Sequence, residues 1–540
     1  MSLRYSQDLI YAVIALCMSS AYICDGASTG NLSLASYYSD HMVLQMGPKS
    51  AIIWGYANAG QKIAVTFKEK LYKAVATPDT FYSSAVWKVA LDPTPPSGPF
   101  NITITTVTDH MSEGEEILLQ DVLFGDIWLC SGQSNMAFPV PAVFNASQVL
   151  NDSYNHPNIR LLAVNEVSST TPYYDLSSLY EPWSLPSPKS LGYSNNNSFY
   201  YFSAVCYLFG LKLHQHLGYP VGLISDNWGG THIQAWSSPD VLKSCPASVD
   251  EKPKKVVNIS KPMNIWEKME VEGPSGDSIL WNAMIHPMLN FTIKGVLWYQ
   301  GEANSAESDR YACLFPAMIN DWRRKWYEGT GGNTEVAFPF GFVQLCTSNV
   351  PFNDTDYPLI RRAQTAGYGY VPNPKMENVF MSVSLDLPDP SSPYDAIHPR
   401  DKQDVAHRLV LGARAIGYNE AYTEFQGPYP RRVCGITNNK IVVDYQFSDV
   451  KLISGKLFEV CCYDEVTCDL EPDAWKTADV VYQVNSTSVM LGYQCDKTYS
   501  ATYLRYLWKD MPCEFKNCAV YGAKNDLPGP PFLLPVQSCE

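Results

Sequence analysis

After its first two dozen residues the chain has no uninterrupted apolar run of the roughly 18 residues that a membrane helix needs, so the mature protein is expected to have no membrane span. It also has no long run of Lys or Arg. Its 39 basic residues stand against 54 acidic ones, a formal net charge of −15. Nucleic acid as a partner is thereby excluded, because phosphate backbones demand a basic face. No CxxC pair and no His-x3-His partner accompanies the cysteines, so no metal site is expected. There is no internal repeat, no low-complexity linker and no GxSxG elbow. Histidine is scarce, at nine residues, which leaves few candidates for a general base.

What is present is the composition of a globular protein, 46% hydrophobic and 17% charged, in a chain too long for one core. The aromatic share of 13%, with 35 Tyr and 13 Trp, supplies flat apolar faces with polar tips. Such faces suit sugar rings, though they serve equally in cores. Arg4 precedes the apolar stretch Leu9–Leu16 and small residues follow, so residues 1–26 read as a secretory signal. Of the 15 cysteines, cleavage after Ala21 leaves 14 and cleavage after Gly26 leaves 13, the odd number forcing a free thiol. Eight lie beyond residue 430 and look like a disulfide-stapled region. Asn-x-Ser/Thr sequons at Asn31, Asn101, Asn145, Asn151, Asn196, Asn258, Asn290, Asn353 and Asn485 add to the expectation of a glycosylated secretory protein, lysosomal or secreted.

Texture along the chain divides it. Residues 27–120 read as short strands (Ala51–Trp54, Lys62–Phe67, Ala85–Leu91) bounded by turn formers, an N-terminal β-sandwich-like domain. Residues 121–424 alternate compact apolar runs (Pro220–Ile224, Ile293–Tyr299, Val379–Val383) with helical stretches at Phe199–Leu217, Tyr311–Tyr327 and from Arg400 onward. That alternation predicts an α/β domain with a parallel sheet between helix layers. Polar residues gather just after the strands, where open parallel sheets bind ligands. Residues 425–540 return to strand texture and form a cysteine-rich C-terminal β-domain.

Four segments carry chemistry. In Gly125–Met136 an apolar run ends abruptly in Ser131-Gly132-Gln133-Ser134-Asn135, the pattern of a buried strand delivering a serine onto a tight turn. A nucleophilic hydroxyl must stand exposed there while its backbone N–H faces the developing oxyanion. In Asp395-Ala396-Ile397-His398-Pro399, His398 offers a neutral imidazole and Asp395 a carboxylate to orient it. Gly229 and Gly230, after a strand, let a backbone N–H approach a ligand closely. Gln300 and Asn304, at another strand end, offer side-chain donors. Singly, each has a plainer explanation: a helix-capping serine, a surface histidine, loop packing.

In chain order these segments resemble the serine, glycine, asparagine and Asp-x-x-His blocks of the SGNH hydrolase superfamily. The likeness is closer still to the sialate O-acetylesterases, through Asp40–Gln45, Leu280–Pro287, Trp298–Asn304 and Ile397–Lys402. It runs over nearly the whole mature chain. It implies Ser134 as nucleophile and His398 as base. It also implies an oxyanion hole from the Ser134 N–H, a glycine of the Gly229–Gly230 pair and the Asn304 side chain, with Gln300 as substitute donor. Asp395 fits the superfamily spacing as the orienting acid. Asp386 and Asp389 are alternatives, as is a Ser–His dyad.

The implied reaction is a two-step acyl transfer that releases acetate from an O-acetylated sugar, small or glycan-linked, without a cofactor. The sialate carboxylate would suit an arginine fork, and Arg361 and Arg362 are the nearest candidates by position. An esterase for neutral acetylated polysaccharide such as xylan would use the same chemistry with a different pocket. A non-catalytic carbohydrate-binding protein would lack some of the four segments. A thiol hydrolase using Cys130 is disfavoured, because that residue sits inside the apolar run, where an inert buried cysteine is expected.

Overall fold

The structure, a computed structural model, describes residues 32–79, 85–107, 114–192, 202–247, 273–348, 356–454, 457–470, 472–495 and 500–539. The expected signal at residues 1–26 and the sequons at Asn31, Asn196, Asn258 and Asn353 lie outside the described residues. The chain falls into two compact units, one holding residues up to Ala35, Ile53–Val89 and Ile102–Leu118, the other Ser36–Ile52, Ala90–Asn101 and Leu119–Glu540. Residues 36–52 and 90–101 thus sit with the larger unit rather than with the strands that flank them in sequence. Residues 121–424 and 425–540 both fall within the larger unit.

The smaller unit is built of antiparallel strands. Lys62–Phe67 pairs with Lys70–Val75 through a two-residue turn in which Lys68 and Glu69 take φ of 47° and 63°. Two positive-φ residues give the backbone twist that suits a tight hairpin. Ile63, Val65 and Phe67 alternate inward with period two.

The larger unit is a mixed α/β body with a β-rich C-terminal region. Its central sheet runs in the order Leu179–Ser184, Ile159–Val164, Val221–Asn227, Glu116–Gly132, Gly295–Tyr299, Phe340–Gln344, Val379–Val383. All neighbours are parallel except the Leu179–Ser184 edge. From Val122 to Gly132 every residue is buried, as expected of a parallel strand covered on both faces. Helix Ala204–Leu217 covers one face, where the Cys130–Cys206 disulfide fastens it and Phe209 meets Trp128. Helix Ser308–Gly329 covers the other, where Phe315 and Trp322 pack on Trp298. Helix Lys402–Gly412 lies against Val379–Val383 on the Ala204–Leu217 side. Strands Ile159–Val164 and Phe340–Gln344 were not expected from the sequence.

Distant segments complete this unit. Val43–Gln45 lies parallel beside residues 123–125, and Gln45 bonds both Asp126 and the Ile127 N–H. The C-terminal region is an eight-stranded sheet in which Cys434–Cys539, Cys461–Cys468, Cys462–Cys495 and Cys513–Cys518 pair all eight late cysteines. It is joined to the parallel sheet through Asp510, whose carboxylate accepts from Thr347 and Ser348. Among the described residues no helix is long and apolar enough to cross a membrane.

Candidate active site

The central strand Glu116–Gly132 ends at the point where the sheet order reverses, the position at which open parallel sheets bind ligands. Gly132 makes the turn at φ 140°, with its α-carbon so close to the next strand that a Cβ would stand 2.2 Å from the Tyr299 carbonyl oxygen. Only glycine fits there. Gln133 then donates its N–H to the same carbonyl at 3.0 Å, and Ser134 opens a one-turn helix, Ser134–Ala137.

His398 comes to this serine from the loop after Val379–Val383, its Nε2 2.8 Å from Ser134 Oγ. Its Nδ1 lies 2.8 Å from the carbonyl oxygen of Tyr394. A carbonyl can only accept, so Nδ1 carries the hydrogen and Nε2 presents its lone pair to the serine hydroxyl. This is the tautomer a general base needs. The Phe138 ring lies 6.3 Å away and nearly parallel, closing one side of the imidazole. Burial pushes the His398 pKa down to about 4, the Tyr394 carbonyl opposing that and the Lys402 ammonium adding to it.

The acid expected behind His398 is not in that position. Asp395 is exposed at φ 69°, and its carboxylate accepts from the neighbouring Ala396 N–H at 2.5 Å. The left-handed turn sends the side chain back onto its own backbone, and the main chain of Tyr394 takes the Nδ1 hydrogen instead. Asp386 is held by Arg408 at 2.6 Å and Asp389 by Arg400 at 2.6 Å, so both alternative acids serve ion pairs.

Gly229 and Gly230 follow strand Val221–Asn227, with Gly230 at φ 67°. Their loop is fastened to the Ser134 turn by the Trp228 N–H, which donates to the Gly132 carbonyl at 3.0 Å. Asn304 is buried. Its Oδ1 accepts from the Ile233 N–H and from Gln300 Nε2, which fixes the orientation of the amide, and its Nδ2 donates to Gln234 Oε1 at 2.9 Å. One Nδ2 hydrogen remains for a ligand. Gln300 donates to the Thr231 carbonyl and to Asn304, which engages both its hydrogens. The structure therefore makes Gln300 the orienter of Asn304 rather than its substitute.

The arginine candidates stand elsewhere. Arg361 is fully buried and donates to the carbonyls of Leu345, Cys346, Lys509 and Asp510, stitching the parallel-sheet region to the C-terminal sheet. Arg362 is exposed and reaches the Gly367 carbonyl. Neither is available as a fork for a substrate carboxylate at Ser134. Cys130, expected as an inert thiol, is oxidised with Cys206, and the one free thiol among the described residues, Cys346, is buried and pushed up to about 12 by burial.

Lys402 had no assigned role in the sequence. Lys402 Nζ donates to Asn135 Oδ1 at 2.6 Å, and Asn135 Nδ2 donates to Glu302 Oε1 at 2.7 Å. The helical spacing of Lys402, Val405, Ala406 and Leu409 on one face is the signal that would have shown Lys402 turned inward.

Comparisons with known proteins show the family of the chain. The family described as carbohydrate esterase, sialic acid-specific acetylesterase, matches residues 124–398, and the sialate O-acetylesterase C-terminal domain matches 431–536. Sialate O-acetylesterase of Mus musculus is 42% identical over 523 residues, covering 93% of this chain and 94% of the mouse protein. The Homo sapiens protein of that name is 41% identical, with 96% of each chain covered. A crystal structure of a carbohydrate acetylesterase from Xanthomonas citri superposes with a TM-score of 0.72 at 25% identity, over 93% of this chain and 99% of that one.

Proposed function

The chain belongs to the sialate O-acetylesterase family, carboxylic ester hydrolases of O-acetylated sialic acids, and from that premise we propose that Ser134 and His398 are its reacting pair. The observation that carries the proposal is the 2.8 Å contact between Ser134 Oγ and His398 Nε2, with Nδ1 anchored on a carbonyl.

Ser134 Oγ attacks the acetyl carbonyl carbon as its proton passes to Nε2. The resulting oxyanion is met by the Ser134 N–H, an N–H of Gly229 or Gly230, and the remaining Asn304 Nδ2 hydrogen; losing one such donor costs about 10²–10³ in rate. Collapse breaks the bond to the sugar oxygen, which leaves with the proton from Nε2. A water then gives its proton to Nε2, attacks the acetyl-serine, and acetate departs as Ser134 recovers its hydrogen. The helix-covered parallel sheet with its site at the order reversal supports an SGNH-type layered fold for this body.

We place the protein in the secretory pathway, lysosomal or secreted. The disulfides require an oxidising compartment, and exposed sequons at Asn101, Asn145, Asn151 and Asn485 are accessible to glycosylation. A base that stays neutral down to about pH 4 suits an acidic compartment.

The test is acetate release from O-acetylated sialic acids and from acetyl-xylan, with wild type and Ser134→Ala side by side. The sialates are expected to be hydrolysed faster and Ser134→Ala to be inactive on both. Equal rates on the two substrates would remove the specificity, and near-normal release by Ser134→Ala would remove the mechanism.

A further inference from the structure

Directly behind the reacting pair lies a buried polar clamp that the acyl-transfer chemistry does not use. Asn135, the residue after the nucleophile, is at its centre. Its Nδ2 donates to Glu302 Oε1 at 2.7 Å and to the Ile397 carbonyl at 2.9 Å, and its Oδ1 accepts from Lys402 Nζ at 2.6 Å. An ammonium or amine facing the amide at this distance requires the oxygen on that side, so the partners settle the orientation. The Lys402 Nζ also sits over two ring faces, Phe138 at 4.9 Å and Tyr299 at 5.1 Å. Phe138 is the ring stacked beside His398, and Tyr299 is the residue whose carbonyl holds the nucleophile turn.

Four separate chain segments therefore meet on one side chain: the Ser134 turn, the His398 loop through Ile397, the strand-end block through Glu302, and the Lys402–Gly412 helix. Lys402 is wholly buried and Glu302 partly so, a base and an acid withdrawn from water, an arrangement that costs stability rather than adding it. Burial draws the Lys402 pKa down to about 7, partly offset by Cys346, Glu302, Asp401 and Asp389, and it raises that of Glu302. A packing role would be filled better by apolar side chains.

We propose that Lys402 and Glu302, acting through Asn135, are positioning residues that set the distance and angle between Ser134 and His398. This rests on the reading of that pair as the reacting groups. The clamp holds the base loop against the nucleophile turn, and the Lys402 cation opposes protonation of the imidazole it helps to place.

The experiment uses the full-length enzyme and an O-acetylated sialic acid. Lys402→Met keeps the aliphatic stem between the two rings and removes the donor and the charge. It is expected to lower kcat by about 10²-fold, the usual effect of a misplaced reacting group. KM is expected to stay within about threefold, since substrate contacts are untouched. The acid limb of kcat/KM is expected to move to higher pH, because a cation that opposes protonation of His398 is gone. Asn135→Leu is expected to give the same fall in kcat with the cation retained. Wild-type kcat and pH profile in Lys402→Met, or wild-type kcat in Asn135→Leu, would overturn the proposal. So would failure of both variants to yield soluble protein, which would assign the clamp to folding. Ser134→Ala separates the two readings: activity in that variant defeats the reacting pair itself, whereas an inactive Ser134→Ala beside a fully active Lys402→Met defeats only the clamp.

Discussion

His398 Nδ1 and the carbonyl oxygen of Tyr394 lie 2.8 Å apart across a single turn of the loop that carries the proposed base. A main-chain carbonyl does half of what a triad carboxylate does. It fixes the tautomer and the ring plane, because it accepts one hydrogen from one direction. It carries no charge, so it stabilises the imidazolium formed during attack less than an aspartate would. The lowered pKa of His398 fits that arrangement: the ring is oriented firmly and protonated reluctantly.

Asp395→Asn measures this directly. Where a buried carboxylate holds the histidine, the same substitution lowers kcat by about 10⁴. Here the carboxylate is exposed and bonded to the Ala396 N–H, and its effect on His398 is only Coulombic. The expected fall in kcat on a chromogenic acetyl ester is less than about tenfold, the scale of a screened surface charge. A fall near the triad value would show that Asp395 turns onto the ring during turnover.

The pH dependence follows from the same histidine. His398 must be neutral to accept the serine proton, and burial lowers its pKa from the ordinary 6.5 to about 4. Activity is therefore expected to hold from neutral pH down through pH 5 and to fall only as pH drops through about 4. The stability contribution has the same sign: it is full above pH 6.5 and is lost as pH falls through the folded value. Initial rates from pH 3.5 to 8, with Ser134→Ala as blank, check it; an acid limb centred near 6.5 would contradict the buried environment.

Much of this site is written in local sequence, and the reasons it stops are local too. Ser134 was legible because an apolar run ending in Ser-Gly-Gln-Ser has few uses other than a strand-to-turn delivery. His398 was legible because histidines are few and the helix after it fixes its backbone. The Asp395 side chain was not, since its direction depends on a left-handed φ that an aspartate adopts only occasionally. Arg361 misled and Lys402 went unnoticed for one reason. Both are cations that ordinarily reach water, yet both lie on the inward stripe of a helix, beside Val405 and Leu409 in one case and Tyr357 and Ile360 in the other. The pairing of Val43–Gln45 with residues 123–125 has no local signal at all; it is set by the unit that forms around it.

Arg361 and Arg362 give contrasting outcomes. Arg361→Met would leave the carbonyls of Leu345, Cys346, Lys509 and Asp510 buried without that donor, at about 1–3 kcal/mol for each that finds no replacement. The expected result is a lower thermal midpoint and poor yield, with KM for sialate esters unchanged in the protein that folds. Arg362→Ala, on the exposed face, is expected to change neither. A selective rise in KM for sialate over neutral acetyl esters in either variant would restore the arginines as carboxylate ligands.

Asp386 separates an orienting acid from a structural one. It is fully buried, its two oxygens accept from Arg408 Nη1 at 2.6 Å and Nη2 at 2.9 Å, and Tyr521 from the C-terminal region donates to it at 3.3 Å. Its main-chain oxygen accepts from the Lys516 N–H, so the loop leading toward His398 is pinned to the C-terminal region at this residue. Asp386→Ala would strand a buried guanidinium, a change that costs about 3–5 kcal/mol in buried pairs. The double variant Asp386→Ala with Arg408→Met removes both charges and is expected to recover part of that loss. In both, kcat at low temperature should stay near wild type, because neither group touches the imidazole. If Asp386→Ala instead remained fully stable and lost activity by orders of magnitude, Asp386 would be the acid behind His398 and the dyad would be wrong.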